Sequence, residues 1–200
     1  MRLSLDFYQK DAITLARDLL GKYLVRNIDG EEVIAKMVET EAYVGPEDKA
    51  CHAYQNKRTK RTEAMFKRGG YTYVYLIYGM YNCFNVVADP KEKPEAVLIR
   101  AVEPIKGLEI VKQNRSIKSK RKQDLTNGPG KLCQALDIDK SLNDYDLTNG
   151  NNLYIKDSKR RNKGNYDIIS DRRINIDYAE EYRDKPWRFY IKGNNFVSKR

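Results

Sequence analysis

The chain has 200 residues, 40% hydrophobic and 33% charged, which suits one globular domain over 1–200 and excludes a disordered or collagen-like polymer. Its 38 Lys and Arg against 28 Asp and Glu give a formal net charge of +10, which points to an acidic partner such as nucleic acid or an anionic surface. Cys51, Cys83 and Cys133 are odd in number and widely spaced, so a reducing compartment is expected rather than a disulfide frame, and with one histidine no structural zinc site.

Taken in chain order, the N-terminus lacks the apolar core of a signal peptide, and a cytoplasmic protein is expected. Residues 6–20 place Phe7, Ala12, Leu15, Leu19 and Leu20 at helical spacing, with Asp6 as N-cap and Gly21 as the stop. Asp29-Gly30 between 23–28 and 32–43 predicts a tight β-hairpin. A polar loop over 44–62 follows, carrying His52 and the basic cluster Lys57, Arg58, Lys60 and Arg61. Residues 69–88 are uncharged and long enough for a membrane helix. Five tyrosines, three glycines and two asparagines in a strand-like pattern argue instead for a second hairpin, 71–78 and 81–88, turning at Gly79-Met80. No membrane segment is expected.

A strand over 96–102 ends at Pro104, and 107–115 forms a short helix. Residues 116–123 are basic, aperiodic and expected to be mobile. Gly128-Pro129-Gly130 opens a helix over 131–136, and short strands are expected at 152–156, 166–176 and 187–192. A third basic patch spans 156–163. The predicted fold class is α+β: a curved, mostly antiparallel sheet flanked by helices, with a protruding tyrosine-bearing hairpin.

Several residues could carry chemistry. On a strand, Glu39, Glu41 and Tyr43 share one face. Two carboxylates so placed repel unless one is held protonated or a cation sits between them, although two exposed, Lys-paired glutamates would also satisfy the pattern. A half-buried glutamate there is a candidate general base. Tyr71, Tyr73 and Tyr75 share a face of the second hairpin and Tyr78 stands beside its turn. Such rings stack on bases, and a hairpin tip can wedge into a duplex; they equally suit a tyrosine-rich core. Asn85 could read a base edge, and Arg100 is a charge inside an apolar strand, either paired internally or aimed at a phosphate. Gly128-Pro129-Gly130-Lys131 offers free N–H groups and a cation at a helix start without Walker A spacing.

Together the segments LARDLLGKYLVR, VETEAYVGPEDKACHA, YVYLIYGMYNCFNVV, AVLIRAVEP, GPGKLCQAL and KPWRFYIKG resemble, in family order, the alkyladenine (3-methyladenine) DNA glycosylase family. The resemblance implies a monofunctional base-excision enzyme that flips a damaged purine from duplex DNA and hydrolyses its N-glycosidic bond, with no lyase step, metal or cofactor. By motif position it makes Glu41 the general base and Arg100 a neighbour of the flipped nucleotide and the water. Tyr43, His52 and Tyr75 hold the flipped base, and Asn85 restricts which purines enter. Tyr78 fills the gap in the duplex, Lys131 meets the DNA backbone, and Ile176 lies near the catalytic water. The implied partner is double-stranded DNA, bound by a monomer in the bacterial cytosol.

Segments 115–125 and 157–166 match none of these motifs, and Asp177 and Glu181 put acid where DNA should approach. The competing expectation is a noncatalytic DNA- or RNA-binding module on the same sheet. A glutamate at position 41 weighs against it, since a binder gains nothing from a carboxylate near phosphates.

Overall fold

The structure, a computed structural model, describes residues 1–158 and 166–199. Of the basic segment 157–166, residues 159–165 therefore lie outside the described residues. The N-terminal helix predicted over 6–20 is two helices, α1 (Leu5–Tyr8) and α2 (Ala12–Leu19). Its break is tertiary: the carbonyls of Tyr8 and Lys10 both accept from Asp89 N, at 3.2 and 2.9 Å. A side chain at Gly69 would strike the Tyr8 carbonyl, so glycine permits this close approach. The cap is accordingly Asp11, which accepts from Thr14 N at 2.9 Å, while Asp6 lies inside α1.

The first hairpin forms as expected. Strand β1 (Tyr23–Ile28) turns through Asp29 and Gly30, at φ 49° and 85°, into β2 (Glu31–Tyr43). Both turn residues occupy the left-handed region that a type I′ turn requires, which is why Asp-Gly serves there. The second hairpin joins β3 (Thr72–Ile77) to β4 (Tyr81–Ala88). Its turn bond runs from Met80 N to Ile77 O, so the left-handed residues are Tyr78 (φ 53°) and Gly79 (φ 70°), one position earlier than predicted. Strand β5 (Glu95–Lys106) runs past Pro104, which pairs with Ala35 beside a register shift. An irregularity is where a ladder tolerates a residue without an N–H.

These strands form one antiparallel sheet in the order β3-β4-β5-β2-β1-β6, with β6 spanning Leu153–Lys156. Near its C-terminal end β2 also pairs with β8 (Arg188–Ile191), which carries β7 (Ile168–Asp171) on its other side. The strand expected over 166–176 is thus only β7. Residues after it leave the sheet as a loop into an irregular 3-10 stretch, Asp177–Asp184. Helices α3 (Leu108–Arg115) and α4 (Pro129–Ala135) complete the fold, which is α+β.

The main core joins α2, α4 and the sheet through Leu15, Leu19, Met37, Phe84, Ile99 and Leu132, all fully buried. Each such side chain contributes about 1.5–3 kcal/mol of burial, enough to fix the long strands β2 and β5 as the frame of the molecule. The basic segment 115–125 is less featureless than its composition suggests. It holds a 3-10 turn, Lys122–Leu125, with Leu125 buried and Arg121 paired to Asp124 at 2.9 Å. Among the described residues no helix is long and apolar enough to cross a membrane.

Candidate active site

The site begins at a defect in the β2–β5 ladder. Met37 pairs with Val102, Glu39 with Ala101 and Thr40 with Ile99, so Val38 is an extra residue on β2 and Arg100 an extra one on β5. Bulges re-aim side chains. Here Arg100 lies against both glutamates of the predicted face, its Nε 3.4 Å from Glu39 Oε1 and its Nη1 3.2 Å from Glu41 Oε2. Both glutamates are fully buried rather than half-buried, and a cation does sit between them. Burial opposes the charge on Arg100, but Glu41 and Glu39 outweigh it and hold its pKa above the ordinary value.

The two carboxylates differ in their surroundings. Glu39 is enclosed: Oε1 accepts from Arg188 Nη1 at 3.0 Å and Ser198 Oγ at 3.0 Å, and Oε2 accepts from Ser198 N at 2.7 Å. Glu41 accepts from Ile174 N at 2.7 Å on Oε1 and from Tyr43 Oη at 3.0 Å on Oε2. Tyr43, Arg100 and Ile174, which touch Glu41, line a cavity of about 330 Å³.

That cavity is aromatic and uncharged over much of its wall. His52, Tyr73, Tyr75 and Tyr43 all line it. His52 stands edge-on to Tyr75 with ring centroids 4.6 Å apart, and its Nδ1 is 2.8 Å from Tyr73 Oη. Burial, with a smaller push from Arg61, brings the imidazole down to about 4, so it is neutral at pH 7. Burial raises Tyr43 well above its ordinary value, with Glu41 adding to the effect, and pushes Tyr73 up to about 12. Neutral rings facing a cavity favour a flat, electron-poor or cationic occupant by about 0.5–2 kcal/mol per cation–π contact.

Asn85 lines the same cavity and is buried. Its amide nitrogen donates to Tyr73 O at 2.9 Å, which leaves the side-chain carbonyl as the acceptor for an occupant. Ile176, Asn175 and Tyr178 contribute from the loop after β7, and Pro129 and Gly130 from the start of α4. Lys131 follows at once and donates to Asn127 Oδ1 at 2.8 Å. At the hairpin tip Tyr78 is 76% exposed, with Met80 and Tyr81 also exposed beside it, and Tyr78 reaches the cavity mouth. The nine residues given roles by motif position thus group in or beside one depression: Glu41 behind its wall, Lys131 next to its rim, the other seven lining it.

Sequence reasoning missed the supports. Asp48 and Arg173, both buried, form a two-pronged ion pair that ties the loop after β2 to the loop after β7. The Arg173 guanidinium also lies 4.8 Å from the Tyr43 ring centroid. Asp48 was visible in the GPED motif as a residue without a role; nothing local distinguishes Arg173 from Arg172. The basic cluster also divides. Arg58 is held by Glu63 and Glu92 at 2.7 Å each, whereas Arg61 sits over Tyr75, 5.0 Å from the ring centroid. Glu181, one of the two acidic departures, pairs with Lys49 at 3.0 Å.

Comparison with known proteins gives the family of the chain. Residues 6–195 match the model of the methylpurine-DNA glycosylase family. A protein of Natranaerobius thermophilus is 60% identical over 198 residues, covering 99% of each chain. Proteins of Clostridium botulinum and Desulfitobacterium hafniense are each 50% identical, over 206 and 203 residues, covering 100% and 98% of both chains respectively. All three are named for 3-methyladenine DNA glycosylase.

Proposed function

The chain belongs to the methylpurine-DNA glycosylase family, and we propose that it removes alkylated or deaminated purines from double-stranded DNA by flipping the nucleotide and hydrolysing its N-glycosidic bond. The observation that carries this reading is Glu41, a carboxylate buried behind a neutral aromatic cavity yet hydrogen-bonded through only part of its acceptor capacity.

The chemistry follows from that environment. Cleavage develops positive charge on the sugar, which a nearby carboxylate stabilises. Water attacks the anomeric carbon, Glu41 takes a proton from it, and the bonding electron pair leaves with the base. A purine alkylated at N3 or N7 is already cationic and departs neutral without a second acid, whereas a neutral deaminated purine takes up a proton from solvent as it leaves. Tyr43, His52 and Tyr75 hold the flipped ring, Asn85 tests its edge, and Arg100 orients Glu41 and the water. Extrusion costs a few kcal/mol, least for damaged bases, and Tyr78 offsets part of this by filling the vacated stack. Lys131 and the open basic residues meet phosphates. The reaction as written draws on no cofactor and ends at an abasic site, without lyase chemistry. The protein acts as a monomer in the cytosol.

Single-turnover excision from duplexes carrying 3-methyladenine, hypoxanthine or ethenoadenine tests the proposal, wild type beside Glu41→Gln. Wild-type excision with at least a hundredfold loss in the variant, about the lower scale for a general base, is expected. Lesion-blind binding without excision of any base would replace it with the binding-module reading.

A further inference from the structure

Glu39 is a buried charge beside Glu41 that the proposed reaction leaves unused. It is as deeply enclosed as Glu41, shares Arg100 with it, and is held by groups distant in sequence, Arg188 and Ser198. Burying a second carboxylate beside the first is costly, so its retention in a fully donor-lined site calls for a physical reason.

The reason lies in how Arg100 is divided. A guanidinium facing one carboxylate prefers the two-pronged fork, which occupies both oxygens. Arg173 and Asp48 adopt that fork elsewhere in this chain. Arg100 does not: its Nη1 approaches Glu41 Oε2, while its Nε faces Glu39 Oε1 and makes no hydrogen bond among the described residues. Glu41 Oε2 is shared by Tyr43 and Arg100, whereas among the described residues Oε1 accepts only from Ile174 N and keeps a lone pair. A fork would consume that lone pair.

We propose that Glu39 is a positioning residue, which draws the Nε edge of Arg100 away from Glu41 and so keeps one Glu41 lone pair open to the attacking water. This rests on the glycosylase reading above. The strap Arg188–Glu39–Ser198 then has a role beyond stability, since it fixes the anchor that sets the angle of Arg100.

The test is single-turnover excision of whichever of 3-methyladenine, hypoxanthine and ethenoadenine the full-length wild type removes fastest, for wild type, Glu39→Gln, Glu39→Asp and Ser198→Ala. Glu39→Gln should bind lesion duplex within about twofold of wild type yet excise about tenfold more slowly, part of a general base's usual contribution. Glu39→Asp keeps the charge that draws Arg100 and should recover most of that rate. Ser198→Ala loosens the strap on Glu39 and should slow excision about threefold at unchanged lesion affinity, a loss of rate without loss of binding. It decides the matter alone if Glu39→Gln fails to fold. A merely structural Glu39 would lower thermal stability while leaving the rate per folded molecule unchanged, and that result overturns the proposal. Wild type without excision of any of the three lesions would instead sink the glycosylase reading itself.

Discussion

Arg173 closes on Asp48 with Nη1 2.5 Å from Oδ2 and Nη2 2.8 Å from Oδ1, both side chains out of contact with solvent. Asp48 further accepts from Val44 N and Ala50 N, and Arg173 donates to Ala42 O, so one ion pair fixes the backbone on both sides of Tyr43. Truncating one partner of a buried pair costs about 3–5 kcal/mol, because the other charge is left uncompensated. Asp48→Asn should therefore lose about that much stability in urea denaturation. It should also loosen Tyr43, weakening lesion binding more than binding to undamaged duplex. A loss below about 1 kcal/mol would mean the pair is solvated.

That pair shows where sequence reasoning reached its limit. The Asp29-Gly30 turn was legible because the signal is local: two residues in left-handed conformations between alternating strands. The tyrosine wall was legible for the same reason, since Tyr73 and Tyr75 lie two apart on one strand. Asp48 and Arg173 are 125 positions apart, and the strap on Glu39 comes from Arg188 and Ser198. No periodicity records such pairings. The bulges at Val38 and Arg100 were equally silent, because a single extra residue leaves a strand's composition unchanged. The break between α1 and α2 was imposed by Asp89, not by any residue in the helix.

His52 gives the fold a pH signature. Burial first, and Arg61 second, lower its imidazole from 6.5 to about 4. Below about pH 6.5 the unfolded chain takes up a proton that the folded one refuses until about pH 4. Stability present at neutral pH is therefore lost as pH falls across that window, by up to about 3 kcal/mol, and the loss levels off below it. Urea denaturation at pH 7 and 4.5 should show a shallower decline for His52→Gln than for wild type, carboxylate contributions being common to both. Identical declines would place the imidazole in solvent.

Tyr78 occupies a left-handed backbone position at the hairpin tip with its ring exposed, an arrangement that packing in the free protein does not reward. Its removal should cost the fold little, within about 0.5 kcal/mol as at other exposed sites. Binding is another matter. Tyr78→Ala should hold an abasic-site duplex about tenfold more weakly, the scale of one lost stacking contact, while lesion-free affinity changes little. Equal affinity of both proteins for the abasic duplex would remove the wedge role.

The positive charge of the chain is not uniformly available to DNA. Arg58 belongs to the basic cluster of the loop after β2, yet Glu63 and Glu92 already neutralise it. Arg61 lies over the Tyr75 ring, and Lys131 donates to the neutral amide of Asn127. Each phosphate contact releases counterions, so a plot of log affinity against log salt steepens by about one for every cation engaged. Arg61→Ala and Lys131→Ala should each reduce that slope by about one, whereas Arg58→Ala should leave it close to wild type, since its charge was internally compensated. Fluorescence anisotropy with an undamaged duplex between 50 and 200 mM salt, roughly the range over which such contacts dominate, measures all three. Equal losses would mean that affinity follows net charge rather than a defined track, and Lys131 would then have no particular claim on the backbone.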